Sequence, residues 1–300
     1  MNRVASICAL LVAAILGAGC GERAEPTGPL PQTYPVSVRG VGDRPVVLKT
    51  RPSRIVAVDP GSAELLLALG VGDRLVGVPE GVSGAGTAEK IVRPTGQLEV
   101  DPIVALKPDL IVATPATDEL DLARAARESG AEVYVQPAAS IENVEEGTID
   151  LGFLVGEAAR ARQLVGTIER KVAVVEDQLA NVEPVTVFVD TGFFITVPER
   201  SLLGDLVAKA KGKSVAGPTP GAGPFPLADL SRLNPDVYLA TSDSGIRLAV
   251  LKANPATRSL KAVRKKRVRI VPEELVTRAG PRIADGLEAV ARALHPDAFR

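Results

Sequence analysis

The sequence of 300 residues contains no tryptophan, and aromatic residues make up only 3% of it. A core must therefore be assembled from Leu, Val, Ile and Ala, and the hydrophobic fraction of 46% is ample for one. Histidine occurs once, at His295. A bare zinc or manganese site needs several imidazoles together with carboxylates, so one His excludes it. A Ser-His-Asp triad would have to use His295, whose Leu-His-Pro-Asp surroundings offer nothing for that role. Cysteine occurs only at Cys8 and Cys20. The chain beyond them can hold no disulfide, thiol nucleophile or thiolate metal site. No phosphate-binding P-loop pattern is present. The formal net charge of −1 gives no reason to expect nucleic acid. The basic run Lys261 to Arg269 lacks interleaved aromatics and reads as a solvated loop entering a strand.

What is present is organised around the stretch Gly156 to Asn181. Leu164, Ile168, Val172, Val175 and Leu179 recur in steps of four, four, three and four. That spacing predicts one apolar stripe along a long helix, which Pro184 ends. Before it stands Ala105-Leu-Lys-Pro-Asp-Leu-Ile-Val-Ala-Thr114, and after it Arg232-Leu-Asn-Pro-Asp-Val-Tyr-Leu-Ala-Thr241. Leu, Pro, Asp, Ala and Thr match at a constant offset of 127. Each copy reads as a short helix, a Pro-Asp turn and a buried strand. The expected fold class is α/β, with two similar α/β lobes of mostly parallel sheet joined by one long backbone helix.

The N-terminus has its own pattern. Met1-Asn2-Arg3 is a short positive region, and Val4 to Ala18 is apolar but short for a membrane span. The run ends in Leu16-Gly-Ala-Gly-Cys20, which resembles a bacterial lipoprotein signal, with Gly17 where such signals usually have Leu. The resemblance implies removal of residues 1–19 and acylation of Cys20. Residues 20–33 are rich in Pro, Gly and charge and read as a flexible tether. The expected division continues with a first lobe over 34–140, linking helices including the long one over 141–183, and a second lobe over 184–300.

In the first lobe, strands are expected over 54–59, 74–79, 110–113 and 132–135. Helices are expected over 63–69, 101–106 and 118–129, after a strand pair flanking Gly40 to Arg44. Ligands of parallel sheets bind beyond the carboxyl ends of the strands. This rule selects Asp59, Pro60, Glu80, Thr114, Pro115 and Thr117. In the second lobe, strands are expected over 185–190, 237–240 and 267–271, and a helix over 201–210. Lys211 to Pro226 reads as a loop at the cleft, and Pro281 as the first residue of a final helix running to about Leu294. Phe193, Phe194 and Phe225 fall in loops, each either a lid over core or a platform for a ligand. Ser242 stands at a strand exit.

The order of motifs is recognisable. Pro52-x-Arg54-Ile-Val-x-x-Asp59-Pro60-x-x-Ala63-Glu64-Leu-Leu-x-Ala-Leu-Gly70-x-Gly-Asp-Arg-Leu-Val-Gly77 resembles the opening of periplasmic binding proteins for cobalamin and iron-siderophore uptake. Asp101-Pro-Ile-Val-Ala-Leu-Lys-Pro-Asp-Leu-Ile111 resembles their next signature. Leu260 to Val271 and Gly280-Pro-Arg282-Ile-Ala-Asp-Gly-Leu-Glu288 are similar to their last strand and helix. The resemblance spans roughly residues 34 to 296. It implies an extracytoplasmic substrate-binding protein of an ABC importer, held to the cell membrane only through lipid on Cys20. Its ligand would be a metal chelate: ferric siderophore, cobalamin or haem. The implied partners are a permease and its ATPase. A monomer is expected, with no enzymatic activity, no resident cofactor and no nucleic acid. In such families arginines of the second lobe meet anionic chelates, which points to Arg278 and Arg282; the alternative for each is a surface position or an internal salt bridge. The resemblance also implies an acid on each lobe tip for permease docking. Asp101 fills the first place; Ala228 stands at the second, with Asp229 one residue later. Two other readings are an enzyme on a nitrogenase- or chelatase-like two-lobed scaffold and a surface receptor for a different small solute.

Overall fold

Strands β1 (Val36–Arg39) and β2 (Pro45–Leu48) pair antiparallel because their residues alternate between buried and exposed. Val36, Val38, Val46 and Leu48 face inward. Gly42, at φ 77°, turns the chain between them. This computed structural model describes residues 32–92, 98–217 and 223–300. The signal segment, Cys20 and most of the tether lie outside the described residues. Thr33–Arg300 forms one compact unit.

The first lobe continues through β3 (Ile55–Ala57), α1 (Pro60–Ala68), β4 (Leu75–Pro79), β5 (Glu89–Val92), α2 (Val100–Ala105), β6 (Leu110–Ala113), α3 (Glu119–Ser129) and β7 (Glu132–Val135). The strands form a five-stranded parallel sheet in the order β5-β4-β3-β6-β7. Every residue of β3 and β6 is buried, as expected of unbroken apolar runs covered on both faces. Asp118 caps α3 by accepting from the Leu120 and Asp121 amides, and Gly130 stops it in the left-handed conformation. Two features depart from the sequence reading. Helix α1 begins at Pro60, not Ala63, and β5 has no counterpart there.

The lobes are joined by a helical hairpin. Helix α4 (Ile141–Val155) begins in the second lobe, where Ile141 and Val144 join its core, and ends in the first with Leu151, Leu154 and Val155. Gly156 adopts a left-handed conformation and reverses the chain. It therefore closes α4 and does not open the long helix. Helix α5 (Ala158–Gln178) then runs back, about 31 Å at 1.5 Å per residue. Its stripe packs as expected: Ala161 lies in the first core, Leu164 touches both, and Ile168, Val175 and Leu179 lie in the second.

The second lobe follows as β8 (Val185–Asp190), β9 (Ile195–Thr196), α6 (Leu202–Lys209), β10 (Gly212–Ser214), β11 (Gly223–Pro224), α7 (Leu227–Leu233), β12 (Val237–Thr241), α8 (Leu248–Ala253), α9 (Lys261–Arg264), β13 (Val268–Val271), α10 (Glu273–Val276) and α11 (Ile283–Leu294). Its parallel sheet has the order β10-β8-β12-β13, and β9 pairs antiparallel with β11. The stretch Lys211 to Pro226 is thus not one loop: its start is the edge strand β10, its end the ribbon strand β11. Pro281 lies two residues ahead of α11, whose cap position is Arg282.

The Pro-Asp repeat has a physical reason. Asp109 accepts hydrogen bonds from the Ser53 amide (2.7 Å), the Ser53 hydroxyl (3.0 Å) and the Arg54 amide (3.1 Å), pinning the entry to β3. Asp236 accepts from the Thr186 hydroxyl (2.7 Å) and amide (3.2 Å), pinning the start of β8. A hydrogen bond from the Lys261 ammonium, aided by Thr186, holds the Asp236 carboxyl down at about 2. His295 is buried, with Nε2 3.1 Å from the Ala210 carbonyl, so the lone histidine serves the second lobe's packing.

Candidate ligand cleft

A parallel sheet opens a crevice where neighbouring strands feed helices on opposite sides. In the first lobe the strand order reverses between β3 and β6, and their exits are Asp59-Pro60-Gly61 and Thr114-Pro115-Ala116. These two loops line a cleft of about 610 Å³. The crossing segment Pro137–Ala139, Ser201 and Leu202 at the start of α6, and Thr277, Arg278 and Ala279 complete it. Both lobes and the connection between them therefore contribute.

Asp59 does not point a free carboxylate at this space. It caps α1, accepting from the Ser62 amide (2.9 Å) and hydroxyl (2.6 Å). Burial pushes its carboxyl above the usual range, against the pull of those hydrogen bonds. Pro60 occupies the first helical position, where its missing N–H costs nothing. Both residues fix the shape of the loop. Thr114 is buried at the β6 exit, and its carbonyl accepts from the Thr117 amide at 3.0 Å. Pro115 lines the cleft, while Thr117 lines an adjoining groove.

The cleft floor is an inter-lobe contact. A Cβ on Gly61 would lie 2.8–2.9 Å from backbone atoms of Ala279, so only glycine lets the two backbones touch. Gln136 Nε2 donates to the Ala279 carbonyl at 3.0 Å. Beside it, Arg278 Nη1 donates to Glu64 Oε1 at 2.5 Å, and Arg282 Nη2 stands 3.6 Å from the same oxygen. The two arginines thus meet a carboxylate of the opposite lobe. Arg278 also lines the cleft; Arg282 does not.

Several other sequence-selected residues lie apart from this space. Glu80 is exposed at the turn after β4. In the second lobe the order reverses between β8 and β12, but their exit loops touch each other: the Cβ position of Gly192 is 3.7 Å from Ser244 Cα. Phe225 packs on Phe188 at 5.4 Å between ring centroids, and Phe194 joins the same cluster. Both rings form lids over core. Phe193 alone of the three projects outward, 87% exposed, at φ 53°. The Ser242 hydroxyl donates to Asp243 (2.7 Å) and accepts from the Glu273 amide (3.1 Å).

The docking candidates Asp101 and Asp229 occupy the first turns of the matching helices α2 and α7. Asp101 pairs with Arg124, and Asp229 accepts from Arg232 at 3.1 Å.

Sequence reasoning assigned no role to Glu64, Gln136 or Asp190. Glu64 lies inside a quoted motif, yet only the fold sets it against two arginines more than two hundred residues away. Asp190 is fully buried; it accepts from Tyr238 (2.5 Å) and from the Gly192 amide (2.8 Å), and so holds the turn that carries Phe193. An Asp-Thr-Gly at a strand exit was the available signal. Among the described residues, no cluster of three or more His, Cys, Asp or Glu could hold a metal ion, and no helix is long and apolar enough to cross a membrane.

Two α/β lobes bridged by a helical hairpin, with a cleft between them, define the helical-backbone class of solute-binding proteins. The periplasmic binding protein family model matches residues 55–275, and the chain belongs to that family. It is 26% identical to an uncharacterised ABC transporter substrate-binding lipoprotein, YvrC, of Bacillus subtilis, over 97% of each chain. It is 25% identical to a cobalamin-binding protein of Halobacterium salinarum, over 88% of this chain and 75% of that one. The fold superposes on the vitamin B12 binding protein BtuF of Vibrio cholerae with a TM-score of 0.72 and 20% identity, over 83% of this chain and 98% of the other.

Proposed function

We propose that this protein is the extracytoplasmic substrate-binding component of an ABC importer, and that it captures a metal chelate between its lobes. The observation that carries the reading is the cleft itself. It receives walls from both lobes, has a volume of about 610 Å³, and is lined by apolar and small polar groups with one guanidinium, Arg278, and one carboxyl, Asp59, engaged by Ser62. Such a composition suits a large, mostly apolar ligand with peripheral acceptors. Glu64 engages one nitrogen of Arg278. The remaining N–H groups of its planar fork suit carboxylate or amide oxygens of a chelate. Ferric siderophores, cobalamin and haem all present such oxygens. The name of the Halobacterium relative is a reason to test cobalamin first.

In this reading Cys20 carries the lipid anchor, and residues 20–33 tether the lobes to the outer side of the cell membrane. Residues 34–140 and 184–300 serve as the two lobes, and 141–183 as their link. The ligand touches Pro60, Thr114, Pro115 and Arg278, with Asp59 shaping the loop. Phe193 is the one of the three loop aromatics that is exposed and free to meet a ligand. Asp101 and Asp229 face the permease once their intramolecular arginines are displaced. The protein performs no chemistry; energy for transport comes from the partner ATPase.

The test is a thermal-shift series on the chain from Thr33, with cobalamin, haem, ferric hydroxamates, ferric catecholates and ferric citrate. A ligand at 100 times its dissociation constant adds about 2.7 kcal/mol, which raises the midpoint by several degrees for a domain of this size. A rise with one chelate class supports the reading and names the cargo. No rise with any of them, on folded and ligand-free protein, removes it.

A further inference from the structure

Beside the cleft lies a second chamber of about 450 Å³, between the β1–β2 turn and helix α3. Val41, Thr114 and Pro115 line both spaces, so the two adjoin. The chamber is built by first-lobe elements and exists without any movement of the second lobe. Val46, Leu122, Ala126, Val133 and Val135 make its wall apolar. The only charged residues that line it, Arg44 and Glu119, neutralise each other, with Nη2 of Arg44 donating to Oε1 of Glu119 at 2.8 Å. Val41 stands at the junction and leaves 39% of its surface exposed.

We infer that the cargo has two parts: a polar chelating head in the cleft at Arg278, and an uncharged aryl or alkyl arm in this chamber. The inference rests on the chelate reading above. Each space recognises the chemistry of its walls. A charged arm would meet no buried counter-ion on the apolar wall, since the one ion pair there, Arg44–Glu119, lies at the solvent-exposed rim. An apolar arm gains from every Å² it removes from water, and it covers Val41 as it passes. The Thr114 and Thr117 residues at the mouth can hydrogen-bond the amide or ester that joins arm to head.

The experiment is isothermal titration with two matched pairs of chelates. One pair is N-acetyl and N-octanoyl ferrioxamine B, both without the free ammonium. The other is cobinamide and its O-octanoyl ester, which carries an uncharged alkyl arm on the aminopropanol hydroxyl. In the pair that binds, the arm-bearing member is expected to bind about tenfold more tightly, the equivalent of burying part of one aliphatic side chain. Ala126→Phe fills the chamber from α3 and should abolish the tenfold difference while leaving the armless member's affinity unchanged. Ala123→Phe, at an exposed position of the same wall, serves where Ala126→Phe lowers the melting point. Equal affinity for both members of a binding pair overturns the two-part cargo and leaves the chelate reading standing. So does an equal loss for both members in the folded variant. Failure of all four compounds to bind, together with no thermal shift from haem, ferric catecholates or ferric citrate, removes both.

Discussion

Arg278 is a cation with two obligations. It holds Glu64 across the lobe junction and borders the cleft, while Arg282 shares Glu64 from farther away. Removing the Arg278 side chain deletes a charge-assisted donor from the cleft and leaves Glu64 with only its weaker partner. Arg278→Ala is therefore expected to weaken binding of an anionic chelate about tenfold or more in titration. Arg282→Ala, which does not border the cleft, should change affinity far less. Unchanged binding in Arg278→Ala would remove the case for anion recognition. At the same scale, burial lowers the pKa of His295 below its ordinary value, against its backbone hydrogen bonds. The unfolded chain then takes up a proton near pH 6.5, before the folded one does. Stability is complete above that pH and is lost as the pH falls through the folded value. Denaturant melts from pH 8 to 5 should show this decline. His295→Gln should flatten it relative to the parent.

At the scale of elements, the helical hairpin α4–α5 decides how the lobes are held. The two helices are in close contact at Gly152, where a Cβ would lie 2.2 Å from the Ala161 Cβ. Glycine there permits a contact that no larger residue allows without separating the helices. Gly152→Val is expected to cost about 1–3 kcal/mol in urea unfolding, the range for overpacking in a tight interior contact. A cost near zero would show that the hairpin adjusts freely. The matched carboxylates Asp109 and Asp236 operate at this scale too. Each ties the turn entering one central strand to the start of the neighbouring one, and this shared duty is why the Pro-Asp segment occurs in both lobes.

For the whole molecule, two antiparallel helices and a backbone contact at Gly61–Ala279 connect the lobes. Bending such a junction means breaking packed surfaces on both helices at once. Solution scattering of the free and chelate-loaded protein should therefore give nearly superimposable curves. A clear fall in the radius of gyration on loading would show hinge closure and overturn this account of the junction.

Much of this was legible in the sequence because its determinants are local. Apolar runs bounded by turn residues located β6, β7 and β8 to the residue, and the stripe Leu164 to Leu179 located the face of α5. The offset of 127 pointed to two lobes, and the strand-exit rule selected Pro60, Thr114 and Pro115, which line the cleft. Other features depend on which distant groups meet. Short strands such as β5, β9 and β10 exist through pairing and carry little pattern of their own. That Asp59 caps its own helix through Ser62, and that Phe225 is the lid over core and packs on Phe188, shows only once those partners are in place. The pairing of Glu64 with Arg278 and Arg282 spans the chain, and the chamber behind Val41 is a space between elements. Local pattern determined the elements and their order. Only the tertiary structure decided which charges are paired and where a cleft opens, because both depend on separations that sequence distance does not encode.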